Sequence, residues 1–156
     1  MTVLIVILIL TSVAILVYGG YRRAVRTKST AQQMEALFST ARTLAINQNA
    51  HFQAVLDLNL GGLWIDQVDG SGQIVTPKIT TPESWSAFVH VLEFTINGAP
   101  PQATPARILF RPNGTSDSAR IVLKCEGGDS RTTTEALTVK LYSSTARSRT
   151  FLGGRP

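Results

Sequence analysis

The chain has 156 residues, a formal net charge of +5, 16% charged residues and 44% hydrophobic residues, which is enough for one domain. Charge is well below the roughly 25% of an average globular protein, yet ample Leu, Ile and Val exclude disorder as the main state. One cysteine, Cys125, and two distant histidines, His51 and His90, exclude a disulfide framework within the chain and leave no zinc-ligand spacing.

The apolar residues concentrate at the front. No charged residue occurs from Met1 to Tyr21, and the run from Met1 to Tyr18 matches the roughly 20 apolar residues that cross a bilayer core as helix. Tyr18 and Tyr21 stand where interfacial aromatics belong, and Arg22, Arg23, Arg26 and Lys28 follow at once. A cleaved secretory signal fits poorly, because no basic stretch precedes the apolar run and no small-x-small site precedes the basic cluster. A simple membrane anchor fits the same length and hydropathy. With the basic cluster C-terminal to the span, the positive-inside tendency would leave the body in the cytoplasm; processing from a precursor with a basic leader would allow it outside.

Residues 21–50 keep a helical rhythm. Val25, Met34, Leu37, Phe38, Ala41, Leu44, Ala45 and Ile46 recur at spacings of three and four, with Arg42, Gln48 and Asn49 interleaved. The sequence therefore predicts one long helix to about residue 50, with Gly19-Gly20 as a region of melt or bend.

Strand signals take over from there. His51 to Leu60 alternates loosely, Gly61-Gly62 breaks it, and Leu63 to Val68 forms a second run before the turn at Asp69-Gly70 and the short Gln73 to Val75. Phe88 to Ile96 alternates well and closes at Asn97-Gly98. Three prolines in residues 99–105 demand loop or edge. Arg107 to Phe110 and Ala119 to Lys124 flank Asn113-Gly114, which predicts a hairpin, and Ala136 to Tyr142 is the last clear strand. The expected fold class is α+β, a long N-terminal helix on a small antiparallel sheet domain, divided into a helix of residues 1–50 and a β-rich part of residues 51–156.

This arrangement resembles the type IV filament proteins, the type IV pilins and the pseudopilins of type II secretion, with a globular part most similar to the GspH/FimT family. Three stretches carry the match. Leu37 to Asn49, with Ala41-Arg42 and Ala45-Ile46, is similar to the family's helix end; Ile108 to Ser116, with Phe110, Pro112 and Gly114, is similar to its hairpin; Leu137 to Arg149, with Arg147 and Arg149, is similar to its closing strand. The resemblance implies a filament subunit held in the bacterial inner membrane before assembly and found in an extracellular or periplasmic filament afterwards. It also implies prepilin peptidase and an assembly platform as partners, a methylated mature N-terminus, and a homo-oligomeric helical assembly. The polymerisation helix would use Met1, Val3, Leu4, Ile5, Ile7, Leu8, Leu10, Val13, Leu16 and Val17.

Two positions depart from the pattern. Family members usually carry glutamate at the fifth mature residue; if Met1 is the first mature residue, that position is Ile5 here, and no acid precedes Glu35. The closing motif has Ala146 where glycine is usual. Assembly also follows from the residues themselves. An apolar helix without polar groups makes a poor channel, and outside lipid it can be hidden only by bundling, which a heterologous, non-closing contact turns into a filament.

No catalytic constellation emerges. Glu83 and Glu93 lie on different elements, His90 alternates among apolar neighbours, and Cys125 reads as a small buried hydrophobe. Gly61-Gly62 and Gly127-Gly128 lack the flanks of a phosphate loop. The expectation is a non-catalytic protein without cofactor or metal. After Glu135 the chain holds four basic residues, Lys140, Arg147, Arg149 and Arg155, and no acidic one. Such an end can attract phosphates through salt-dependent, sequence-independent contacts. DNA is therefore an alternative partner, through Arg147, Arg149 and Arg155, as in similar FimT-like minor pilins; a solvated tail or a contact to an acidic neighbour explains the same residues.

Overall fold

A computed structural model describes residues 2–125 and 136–153; within the N-terminal helix, side chains are described at residue 22 and from residue 24 onward. Helix α1 spans Thr2–Asn47, a length of about 69 Å at 1.5 Å per residue. It runs through Gly19 and Gly20 without a break. No helix among the described residues is long and apolar enough to cross a membrane; the side chains of the run to Tyr18 lie outside them.

The buried stripe of α1 is Thr27, Thr30, Ala31, Met34, Phe38, Ala41 and Ala45, one face at spacings of three and four. Val25 and Ile46, expected on that face, are 47% and 43% exposed. Two threonines take the positions that an apolar count overlooks. Asn49 ends the helix in the left-handed region at φ 47°, and the Ala50 N–H donates to the Ala45 carbonyl at 3.2 Å, the back-bond of a Schellman-type cap.

Two antiparallel sheets pack on this helix. The first holds β1 (His51–Asp57), β2 (Gly62–Val68), β3 (Ile74–Thr76), β4 (Glu83–Ser84) and β6 (Ala106–Phe110), in the order β3-β2-β1-β6 with β4 also on β2. The second holds β5 (Val89–Ile96), β7 (Ala119–Cys125), β8 (Leu137–Tyr142) and β9 (Arg147–Leu152) in the order β5-β7-β8-β9. Phe52, Ala54, Leu56, Leu63, Ile65, Ile108 and Phe110 from the first sheet join Phe94, Ile121, Leu123, Val139 and Leu141 from the second in one core with the helix. Phe38 lies fully buried at its centre, its ring 6.2 Å from that of Phe110.

Three expectations are corrected. Asn113-Gly114 does form a tight turn, with the Gly114 N–H donating to the Arg111 carbonyl at 3.0 Å, but no hairpin follows. β6 pairs with β1, and β7 pairs with β5 and β8. The turn carries the chain from one sheet to the other: Ser116 bridges back to Phe110 and donates its N–H to Ser143, while Asp117 binds Arg111 at 3.0 Å. Residues 147–152 are likewise not a free tail: they form the edge strand β9 on β8. Alternation in β5 breaks at Leu92, the extra residue of a bulge between the pairs Val91–Leu123 and Glu93–Val122, so that Leu92 faces solvent.

Candidate functional site

Surfaces, rather than a pocket, carry the chemistry. Among the described residues, no three His, Cys, Asp or Glu side chains gather into a metal-binding group. His90 is exposed and Cys125 is buried.

The first surface is the helix and what clasps it. Ala41 and Ala45 are completely buried, and their small side chains let α1 lie close against the sheets. Arg42 and Ile46, one position on from each, reach the turn after β6: a Cβ on Gly114 would stand 3.4 Å from Ile46 Cδ1 and 4.0 Å from Arg42 Nη2. The helix-end stretch and the turn stretch are thus two halves of one contact. Further down the helix, the Thr150 hydroxyl on β9 donates to Glu35 Oε1 at 2.6 Å. The Arg26 guanidinium lies 4.4 Å from the centre of the Phe88 ring. Polymerisation-helix residues Val3, Leu4, Ile5, Ile7, Leu8, Leu10, Val13, Leu16 and Val17 all lie on α1, with their side chains outside the described set, as is Met1 altogether.

The second surface is the outer face of the second sheet. Residues directly opposite in an antiparallel ladder share a face. The register aligns Thr95, Arg120, Lys140 and Arg149 in one row across all four strands, and Tyr142 with Arg147 in the row beside it. Arg147 and Arg149 are exposed. Lys140 lies 5.4 Å from the Tyr142 ring centre. Glu93 stands in the next row and approaches Arg120 at 3.8 Å; Lys124 shares the face, paired with His90. Arg155 lies outside the described residues. The structure places Arg147 and Arg149 on one sheet face with Lys140, Arg120 and Lys124. Their alternation within β7 was legible in Arg120-Ile-Val-Leu-Lys124, but the row they join depends on register that no single strand reveals.

Ala146, at the departure from the family motif, has φ 46° and is buried. This is the left-handed region where glycine is favoured, which explains the usual residue.

These features agree with the comparisons to known proteins. No curated protein matches the chain. Among solved structures, the minor pseudopilin EpsH from the type 2 secretion system of Vibrio cholerae superposes with a TM-score of 0.61 at 15% identity, covering 83% of this chain and 99% of that one. The type IV minor pilin FimU of Pseudomonas aeruginosa superposes with a TM-score of 0.58 at 18% identity, covering 83% of this chain and 90% of that one. At such identities the likeness is one of fold, and it is the pilin-like fold of a long helix on antiparallel sheets. The family described as Type II transport protein GspH matches residues 30–144, from the first buried turn of α1 to the end of β8, and the chain belongs to that family.

Proposed function

We propose that the chain is a structural, non-catalytic subunit of a pseudopilus or type IV pilus-like filament. It is held in the bacterial inner membrane by the apolar half of α1 and polymerises through that half into a periplasmic or extracellular helical assembly. The observation that carries this reading is one uninterrupted helix, Thr2–Asn47, whose buried face in the domain starts at Thr27 among the described side chains. Residues 2–21 would add about 30 Å of helix, the thickness of a bilayer core. Prepilin peptidase and an assembly platform are the partners implied, with the N-terminal methylation that goes with them. Gly19-Gly20 would be the place where the helix extends or melts during assembly. EpsH, by its description, is a minor pseudopilin of type II secretion, which supports a pseudopilus acting as part of a secretion piston. The test is recovery of the chain in sheared filaments, with and without lysine at Ile7 and Val13. Loss of the variant from filaments fits the proposal; equal recovery sinks it.

A second reading, DNA binding, is favoured by the row of Arg120, Lys140 and Arg149 beside Arg147. Few aromatics interleave with these cations, so contacts would go to phosphates rather than stacked bases. Replacing Arg147 and Arg149 by alanine tests it. Reduced DNA retention with a shallower salt dependence supports this reading, and unchanged retention ends it.

A further inference from the structure

Leu152 and Leu60 are the most exposed large hydrophobic side chains, at 84% and 81%, ahead of Val75 and Leu92 at 60%. Leu152 and Leu60, with the half-exposed Phe88 and Val25 near the helix entry, come from four separate segments, yet the contacts gather these four at one end of the domain. The Trp85 N–H donates to the Gly61 carbonyl at 3.0 Å, and the Trp85 indole fills the space beside Gly61. Phe88 follows three residues later and carries the Arg26 guanidinium. In the second sheet, Leu152 pairs with Leu137, Leu137 with Leu123, and Leu123 with Val91 near the start of β5. Thr150, in the row of Phe94, meets α1 at Glu35, whereas Phe88 meets it at Arg26. Moving toward Phe88 and Leu152 therefore moves toward the N-terminal end of the helix. This is the end at which α1 enters the domain, opposite the Ile46–Gly114 contact.

Single exposed leucines are ordinary on a protein surface. Apolar side chains gathered around the entry of a helix that also carries exposed Arg22 and Lys28, with Arg26 half-buried among them, are a different matter. We propose that before assembly this end of the domain rests on an anionic bilayer surface, with Leu60, Phe88 and Leu152 dipping into the interface and Arg26 and Lys28 over the headgroups. The inference rests on the membrane-held reading above and goes beyond it: the domain docks on the surface and is not merely tethered there. Aromatic and aliphatic side chains suit headgroup depth, and basic side chains within a Debye length of an anionic leaflet are attracted to it. The Arg26–Phe88 stack joins both kinds of contact in one unit. Two acids lie on the nearby strands. Asp57 turns its carboxylate to the N–H groups of Asn59 and Leu60, and Glu83 sits on β4 beside Leu63. Among the described residues the face is thus predominantly, though not purely, basic.

The test uses the full chain with Cys125→Ala and a nitroxide on Leu60→Cys, reconstituted in vesicles of phosphatidylglycerol or of phosphatidylcholine. A second label on Asn113→Cys marks the far end of the domain, and extraction with alkaline carbonate reports independently whether the chain is embedded. In phosphatidylglycerol the Leu60→Cys label is expected to lose access to a water-soluble relaxant several-fold, while the Asn113→Cys label keeps it. Phe88→Ser with Leu152→Ser, or Arg26→Gln with Lys28→Gln, should return the first label to water. An embedded chain whose Leu60→Cys label stays in water overturns the inference and leaves the membrane-held reading intact. Protection that appears only at high protein density also overturns it, because the face would then contact another subunit. Protection equal in both lipids removes the anionic surface from the account. A chain extracted by carbonate ends the membrane-held reading and the docking with it.

Discussion

Ile46 and Gly114 form the contact on which the far end of the domain closes: a Cβ on Gly114 would lie 3.4 Å from Ile46 Cδ1, and Gly114 holds φ +79°. One residue lies in the last turn of the helix and the other turns the chain between sheets. Gly114→Ala is expected to destabilise the protein by about 1–2 kcal/mol through the left-handed backbone alone, with crowding against Ile46 on top. Denaturant unfolding of Gly114→Ala with and without Ile46→Ala separates the two. Ile46→Ala should relieve only part of the loss, and complete relief would show that the backbone conformation costs nothing.

Ala146 offers the opposite case. It sits at φ 46° with a Cβ where the family usually has none. Ala146→Gly should stabilise the fold by up to about 1 kcal/mol, the relief of a left-handed alanine less the entropy of a freer unfolded chain. A raised melting temperature checks this, and a lowered one contradicts it.

The Thr150–Glu35 hydrogen bond, 2.6 Å long, ties the edge strand β9 to the helix. Thr150→Val and Glu35→Ala should each cost about 1 kcal/mol. In a double-mutant cycle their effects should fall short of additive, since each removes the same bond. Full additivity would mean that the pair does not interact in solution.

Asp69 holds the turn between β2 and β3. Its Oδ1 accepts hydrogen bonds from the Ser71 hydroxyl at 2.7 Å and from the N–H groups of Gln73 and Ser71 at 2.8 and 2.9 Å. These bonds, the Ser71 hydroxyl first and then the Gln73 N–H, hold its carboxyl below the ordinary value of 3.8. A carboxylate favoured by folding contributes above its unfolded pKa, and the contribution disappears as pH falls through the lower folded value. The Ser71 and Gln73 amide signals should therefore titrate with a midpoint below 3.8, and Asp69→Asn should abolish that titration. A midpoint above 3.8 would contradict the geometry.

Much of this architecture was legible in the chain. The helix was expected to about residue 50 and ends at Asn47, and β1, β2, β5 and β8 stand where alternation and turn residues put them. The family stretches found in the sequence correspond to physical parts: Ala41 and Ala45 for close packing, Asn49 for the cap, Gly114 for the turn. What escaped was non-local. Asn113-Gly114 specifies a tight turn, but which strands pair is decided by the core that Phe110 and Ile121 fill from different sheets. β9 reads as a solvated tail because its outer positions are Arg147 and Arg149, while inward Thr150 and Ser148 are polar too. The basic face exists only through register, which joins Arg120 to Lys140 and Lys140 to Arg149.

In the proposed mature subunit, if it begins at Met1, Ile5 takes the position where filament relatives usually carry glutamate. In the proposed assembly, apolar packing along residues 3–17 replaces the usual charge pairing. Ile5→Glu should then bring little gain in filament recovery, and a marked gain would contradict this packing.

The most direct test is electron microscopy of filaments sheared from cells, with mass spectrometry of the intact subunits they contain. The account predicts that this chain is a component of the filament, as the main subunit or a minor one, with a mass that reports a processed, methylated N-terminus. Filaments that form without it while the chain stays wholly in the membrane fraction would contradict its assignment as a filament subunit.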